Sequence, residues 1–344
     1  MTRRILDLAS CRCAVIASNA VTERMRAYID PFVASDTGQR PDVTVSISCD
    51  PRAVDISRQL LNTRPPSACR TAHPGNRYLV WIVDDHEVLL PEWTDDHVVD
   101  TAPGTITITG ADFNVAATIG TRVIRQLVMR GIENRGGASL HAGCVVVGAD
   151  GVLVGGKAGS GKTTMLTALL ERHAAPVSGD RTMVIADSSG WRAVAVPLAW
   201  RFTPEGLSGS RLLGQAWPGM TPARGRVLVE GKAELTPDEV GQVFGRAPVS
   251  DAPVHRIVVV ERSPEPPPDV VDGWYLRRHM DFGRGDTLGE DWLNLFPHNG
   301  NHARPSENLW WTRLGSSVPV MALTWTDPQQ LPHLALSIHK WINS

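Results

Sequence analysis

The run GVLVGGKAGSGKTTMLTALLE, from Gly151 to Glu171, limits what this chain can fold into more than any other stretch. Val152, Leu153 and Val154 form an apolar segment that stops at Gly155 and predicts a buried strand. Gly156, Lys157, Ala158, Gly159, Ser160, Gly161, Lys162 and Thr163 then satisfy every position of the pattern GxxxxGK[ST]. Beyond them Leu166, Leu169, Leu170 and His173 recur at three- and four-residue spacing, which predicts a helix with these four on one face. Strand, loop and helix in this order give the pattern its chemical meaning. The three glycines of the loop let the backbone turn tightly, so that its N–H groups can point inward at phosphate oxygens. The helix N-terminus adds unpaired donors and the positive end of a dipole where negative charge must sit. In that setting Lys162 bridges the β- and γ-phosphates, the Thr163 hydroxyl ligates Mg²⁺, and Thr164 closes the set of nucleotide-binding residues. The stretch implies a nucleoside triphosphate or a close relative as ligand.

Composition narrows the partners. With 344 residues the chain is long enough for two domains, or for one large domain with an appendage. Its formal charge of −2 suggests neither a nucleic-acid nor an anionic-membrane surface. The opening MTRRILDLAS lacks the apolar core of a signal peptide, and no run of about eighteen apolar residues is present, so a cytoplasmic protein with no membrane span is expected. Cys11, Cys13, Cys49, Cys69 and Cys144 form no CxxC pair and no zinc spacing with histidine, which reads as thiols in a reducing compartment.

Three regions follow from the patterning. Residues 1–112 read as a small β-rich domain. Its signals are a strand over 13–17, a helix capped by Asn19 with Met25, Tyr28 and Ile29 on one face, and alternating VTVSIS from Val43. They continue with a hairpin of 78–83 with 87–90 across Asp84-Asp85, and TITIT from Thr105; residues 62–76, with three prolines and a glycine, read as loop. Residues 113–262 read as a linker helix capped by Asp112 and ended by Gly136-Gly137, followed by the nucleotide-binding core. That core opens with one strand over 140–147 and holds a hairpin of 182–186 with 191–196. It closes with the apolar run from Ile257 to Val260 and a proline-rich joint at 263–268. Residues 263–344 are rich in tryptophan and arginine. Core packing accounts for most such tryptophans, yet Trp310 and Arg313 also suit an acceptor-docking segment, alone or with the N-terminal domain.

The order Leu140-His141-Ala-Gly, then GVLVGGKAGSGKTT, then SGDRTMV resembles the catalytic domain of the HPr kinase/phosphorylase group over about residues 139–261. It is also similar to HPr-kinase-like enzymes that phosphorylate peptides in natural-product pathways and, more distantly, to phosphoenolpyruvate carboxykinase. The resemblance implies an α/β fold, a P-loop HPr-kinase-like core behind a small β-rich N-terminal domain. It places His141 near the transferred phosphate, and it makes Asp180 a metal ligand or the acceptor of the hydroxyl proton. Members of that group are often oligomeric, so a homo-oligomer stays open. One departure stands out: the group usually carries two adjacent aspartates, and here the sequence reads Gly179-Asp180-Arg181. A single carboxylate must then share metal and base duty or call on another acid, and reversal of the reaction is harder to support. Arg181 would instead add positive charge beside the transferring group.

Other candidates have ordinary explanations beside the chemical ones. Glu261 ends the IVVV run as the acid of a Walker-B strand would, and a solvated strand end gives the same pattern. Asp187 opens the turn DSSG and reads as a turn residue. His298 and His302 flank Asn299-Gly300-Asn301 without a third metal ligand at suitable spacing. Leu207-Ser-Gly-Ser210 and Val227-Leu-Val-Glu230 faintly echo a transport ATPase, but the spacing from Lys162 is too short and the terminal acidic pair is missing. The expectation is an ATP-dependent, Mg²⁺-using kinase whose catalytic groups are Asp180, His141 and Lys162 and whose metal ligands are Thr163 and Asp180. Its acceptor would be the hydroxyl of a peptide or a small molecule. A P-loop ATPase and a non-catalytic nucleotide-binding regulator remain alternatives, and the motif does not separate ATP from GTP.

Overall fold

The computed structural model describes residues 1–73, 75–217, 232–281, 291–295, 307–327 and 330–342. It is a mixed α/β structure with two large sheets. The chain divides into two units, one of Met1–Gly131 with the described residues 291–295, the other of the described residues from Ile132 onward apart from those five.

In the first unit, alternating apolar residues build a nine-stranded sheet. Its strands are β1 (Thr2–Asp7), β2 (Arg12–Ala17), β3 (Val33–Ala34), β4 (Val43–Cys49), β5 (Ala68–His73), β6 (Asn76–Val83), β7 (His86–Pro91), β8 (His97–Ala102) and β9 (Thr105–Gly110), in the order β3-β1-β2-β4-β9-β8-β7-β6-β5. The expected hairpin forms as β6 and β7, with Val83 opposite His86. Helix α1 (Asn19–Ile29) buries Val21, Met25 and Ile29 and is capped by Ser18, not Asn19, because the Ser18 hydroxyl accepts from the Val21 N–H. Helix α2 (Pro51–Leu61) was not legible as a run of apolar residues. Its signal is the Asp50 cap with Pro51 in the first turn, where the missing N–H costs nothing. Residues 62–76 are not all loop: β5 pairs antiparallel with β6. As the last strand in the order, β5 has one neighbour, and ACRTAH carries no apolar alternation to betray it.

Helix α3 (Phe113–Asn134) begins where the Asp112 carboxylate accepts from the N–H groups of Asn114 and Val115. It ends at Gly136, whose φ of 84° suits glycine, with the Gly137 N–H returning to the Ile132 carbonyl.

The second unit holds β10 (Ala138–Leu140), β11 (Ala142–Val147), β12 (Asp150–Gly155), β13 (Ala175–Ser178), β14 (Thr182–Asp187), β15 (Gly190–Ala195), β16 (Trp200–Phe202), β17 (Ala233–Leu235), β18 (Asp251–Arg262) and β19 (Val320–Trp325). Its main sheet runs β10-β14-β15-β18-β12-β11-β13, with β19 also on β18; β16 and β17 pair apart from it. The single strand expected over 140–147 is two, broken at His141. β10 joins β14 while β11 joins β12 and β13. Helix α4 (Lys162–Leu170) buries Leu166, Leu169 and Leu170 against Val152, Val154, Val258 and Val260. His173 is not on that face; it lies beyond the helix, exposed, with φ 68°.

The later helices are α5 (Pro204–Gly209), α6 (Arg211–Ala216), α7 (Pro237–Phe244), α8 (Gly273–Met280), α9 (Glu307–Ser317) and α10 (Leu331–Ile342). The proline-rich joint does not close the core. β18 is long enough to take β12 on one edge and both β15 and β19 along the other, and β19 runs parallel to it from Val320 to Trp325. Ala335 and Ile338 of α10 join the same apolar cluster as α4. The described residues 307–327 and 330–342 therefore belong to the body that carries the glycine-rich loop rather than to a third one. Among the described residues no helix is long and apolar enough to cross a membrane.

Candidate functional site

The loop between β12 and α4 takes a shape that only glycine permits at two points. At Gly156, φ is 147°, and a Cβ would stand 2.3 Å from the Val260 carbonyl oxygen of the neighbouring parallel strand. At Gly161, the residue before α4, φ is 94°, and a Cβ would meet the Trp325 ring at 3.1 Å. No side chain caps the first turn of α4, so its N–H groups stay open to an outside acceptor. Ser160 is 5% exposed, and its hydroxyl has no hydrogen-bond partner. Lys157, Ala158 and Gly159 are exposed; Thr163 is half-buried and Thr164 exposed.

Lys162 is the buried cation of the loop. Its side chain folds back so that Nζ donates to the carbonyls of Gly156 at 2.8 Å and Lys157 at 3.2 Å, with Asp180 Oδ1 at 4.0 Å. Burial pushes its pKa down to about 8, and the charge of Lys232 adds to this while Asp180 opposes it.

Asp180 stands at the tip of the turn between β13 and β14. Two contacts fix that turn. The Ser178 and Thr182 hydroxyls bond each other, and Thr182 donates to the Ala142 carbonyl at 2.8 Å. Gly179 lies against the Trp200 indole, 2.9 Å from where a Cβ would be. The tip thus reaches over the break between β10 and β11, where His141 Nε2 comes within 3.1 Å of Asp180 Oδ1. The His141 N–H donates to the Met280 carbonyl at 2.7 Å, which ties the break to the end of α8. Packing around the Asp180 carboxyl works against its charge, but the hydrogen bond and charge of His141, with Lys162 and Arg181, outweigh it and hold the pKa below the usual carboxylate range.

The structure therefore brings together His141, Lys162 and Asp180, with Arg181 close enough to act on Asp180, and places Thr163 one residue beyond Lys162. Glu261 is not in that group of contacts. Side chains alternate along β18, so Val260 faces the α4 cluster and Glu261 the opposite side, where its carboxylate lies 3.4 Å from His279 Nε2. Asp187 is a turn residue: its carboxylate accepts from the Ser189 N–H and hydroxyl and pairs with Arg192. His298, His302 and residues 227–230 lie outside the described residues. Trp310 is 8% exposed, donates to the Gly136 carbonyl and packs on Trp191, so the core claims it; Arg313 is exposed.

Sequence reasoning missed Trp325, Trp200 and Thr182. None carries a local signal, since each acts on residues remote in the chain; only Gly161 and Gly179 hinted that something must lie close. No group of three or more potential metal-ligating side chains occurs among the described residues.

No family model and no curated protein matches this chain. Among solved structures, the Hpr(Ser) kinase/phosphatase from Coxiella burnetii matches at 21% identity over 38% of this chain and 71% of that one, with a TM-score of 0.26. At that TM-score the likeness bears no weight, and the functional reading rests on the residues above.

Proposed function

We propose that this protein is an ATP-dependent kinase of HPr-kinase-like type that moves the γ-phosphate to a hydroxyl of a peptide or a small molecule. The observation that carries the reading is the meeting of Lys162, Asp180 and His141 at the uncapped start of α4, with Lys162 Nζ and Asp180 Oδ1 4.0 Å apart. Phosphoryl transfer leaves little covalent work to a protein, so position and charge do most of it. In this reading the amides of residues 156–161 and the start of α4 hold the donor as a P-loop. Lys162 exchanges its two carbonyl partners for β- and γ-phosphate oxygens, and Arg181 offsets charge as the group moves. His141 orients Asp180, which takes the acceptor's hydroxyl proton.

Mg²⁺ fits the donors present. The Thr163 hydroxyl and the Asp180 carboxylate are hard oxygens, and two protein ligands with phosphate and water completing the shell are usual for this ion. When bound it neutralises phosphate charge during transfer. The half-exposed Asp180 carboxyl, held anionic by its neighbours, suits that duty.

Incubation with Mg²⁺, ATP and the products of neighbouring genes, read by mass spectrometry, tests the proposal. The expected result is one phosphate gained on an acceptor hydroxyl and lost in Lys162→Ala. Phosphate released only to water would make the protein an ATPase; binding with neither would make it a regulator.

A further inference from the structure

A residue 165 positions after Ser160 reaches back to the loop of the proposed nucleotide site. Trp325 ends β19, is 6% exposed, and donates its indole Nε1–H to the Ser160 carbonyl at 2.6 Å. The same ring lies against Gly161, and the Arg262 guanidinium covers it at 5.3 Å from the ring centroid. Membership of the apolar cluster explains why the ring is buried. It does not explain why the N–H ends on this carbonyl.

The consequence lies in the peptide plane. Ser160 C=O and Gly161 N–H belong to one planar trans unit and point in opposite directions. A bond that pins the carbonyl toward Trp325 therefore aims the Gly161 N–H away from it. The Ser160 N–H, in the preceding peptide unit, is committed to the Lys157 carbonyl at 3.1 Å, so the chain is held on both sides of the Ser160 Cα. Gly161, with φ 94° and no Cβ, would otherwise be free to explore other orientations.

We propose that Trp325 is a positioning residue of the nucleotide site, whose indole N–H sets the direction of the Gly161 amide and so pre-organises the loop for a polyphosphate. This rests on the P-loop reading given above. A preset amide saves ordering cost on binding. The expected loss of affinity is about three- to tenfold, which is ~0.6–1.4 kcal/mol and within the net worth of one hydrogen bond.

The test uses the full chain and MgADP, with Kd from calorimetry and the melting curve of the ligand-free protein beside it. Trp325→Phe removes the donor and keeps an aromatic ring. Trp325→3-benzothienylalanine keeps the whole bicyclic shape and puts sulfur where the N–H was. Trp325→5-fluorotryptophan keeps the donor and serves as the rescue. The expected result is that the first two weaken MgADP binding about three- to tenfold while the third binds as wild type does, with the ligand-free melting temperature of the benzothienyl variant near that of wild type. Equal affinity in the benzothienyl variant, with wild-type binding intact, would overturn this inference alone. Loss of the fold in that isosteric variant would make the bond a structural one and overturn it too. Failure of the wild type to bind MgADP would overturn the nucleotide reading and this inference with it.

Discussion

A lysine whose pKa has been pushed to about 8 should take up a proton when it meets phosphate, and that uptake can be measured. Lys162 is 6% exposed, so burial is the main cause, with no need to discount for solvent screening. The fall from 10.5 to about 8 corresponds, at ~1.4 kcal/mol per pH unit, to about 3 kcal/mol of strain on the charged form in the ligand-free fold. The sign follows from proton counts. Between about 8 and 10.5 the unfolded chain binds the proton and the fold does not, so this group's contribution to stability rises with pH across that window. A bound polyphosphate reverses the balance by giving the ammonium a partner. At pH 8 about half the lysine is neutral, so binding should take up roughly half a proton, about a tenth at pH 7 and nearly one at pH 9. Affinity should then fall toward tenfold per pH unit above 8. Calorimetry of ADP binding in two buffers of different ionisation enthalpy reads the uptake directly, and the nucleotide's own phosphate, with a second pKa near ~6, has already titrated. Lys162→Arg, charged at every pH, is expected to abolish the uptake. Identical heats in both buffers at pH 8, with a Kd flat from pH 7 to 9, would refute the reasoning.

Three further outcomes are expected. Asp180→Asn should lower phosphoryl transfer by at least about 10²-fold, a typical share for a general base, with a much smaller change in nucleotide affinity; near-normal transfer would move the base elsewhere. Gly156→Ala places a Cβ 2.3 Å from the Val260 carbonyl at φ 147°, so it should cost the fold more than about 1 kcal/mol in a urea titration, with the loop no longer binding MgADP. A chain ending at Pro268 lacks α8, α9, β19 and α10 and leaves one edge of β18 and the α4 cluster uncovered. It should be insoluble or lose cooperative melting, and a soluble, nucleotide-binding product would contradict this account.

The sequence made the strand–loop–helix of residues 151–170 legible because every part of it is local: an apolar run, loop glycines, and a period of three and four. The β6–β7 hairpin was legible for the same reason, with its turn residues between two alternating segments. What failed to register was either non-local or at an edge. β5 needs no apolar face, since it pairs on one side only, and ACRTAH offers none. The break at His141 is invisible in LHAGCVVV because the sequence does not state which strands will claim its two halves. The proximity of Asp180 to Lys162 could be guessed from chain order, but the reason Asp180 is held there could not. That reason is Thr182 reaching Ala142 and Gly179 lying on Trp200, contacts between residues that no periodicity links. The tryptophans of the last third follow the core-packing reading that their residue type favours: Trp310, Trp311 and Trp325 are buried, while Trp274 is exposed.

In the proposed site the charges around the loop would favour a polyanion although the formal charge of the chain is −2. Lys162 feels Lys232 as well as Asp180, and Asp180 feels Lys162, Arg181 and His141. Lys162, Lys232 and Arg181 place three positive charges around the Asp180 carboxylate, and Glu261 is turned toward His279 on the opposite face of β18. Burial is what depresses the lysine; Asp180 opposes the shift and Lys232 adds to it. In the proposed site an incoming phosphate chain would give the buried ammonium a partner and reach the open amides of α4. A second aspartate in place of Arg181 would cancel part of the excess. In the proposed kinase, Gly179-Asp180-Arg181 would therefore favour holding a nucleotide and a leaving phosphate over reversing the transfer, and Arg181→Asp is expected to weaken MgADP binding, which calorimetry reads.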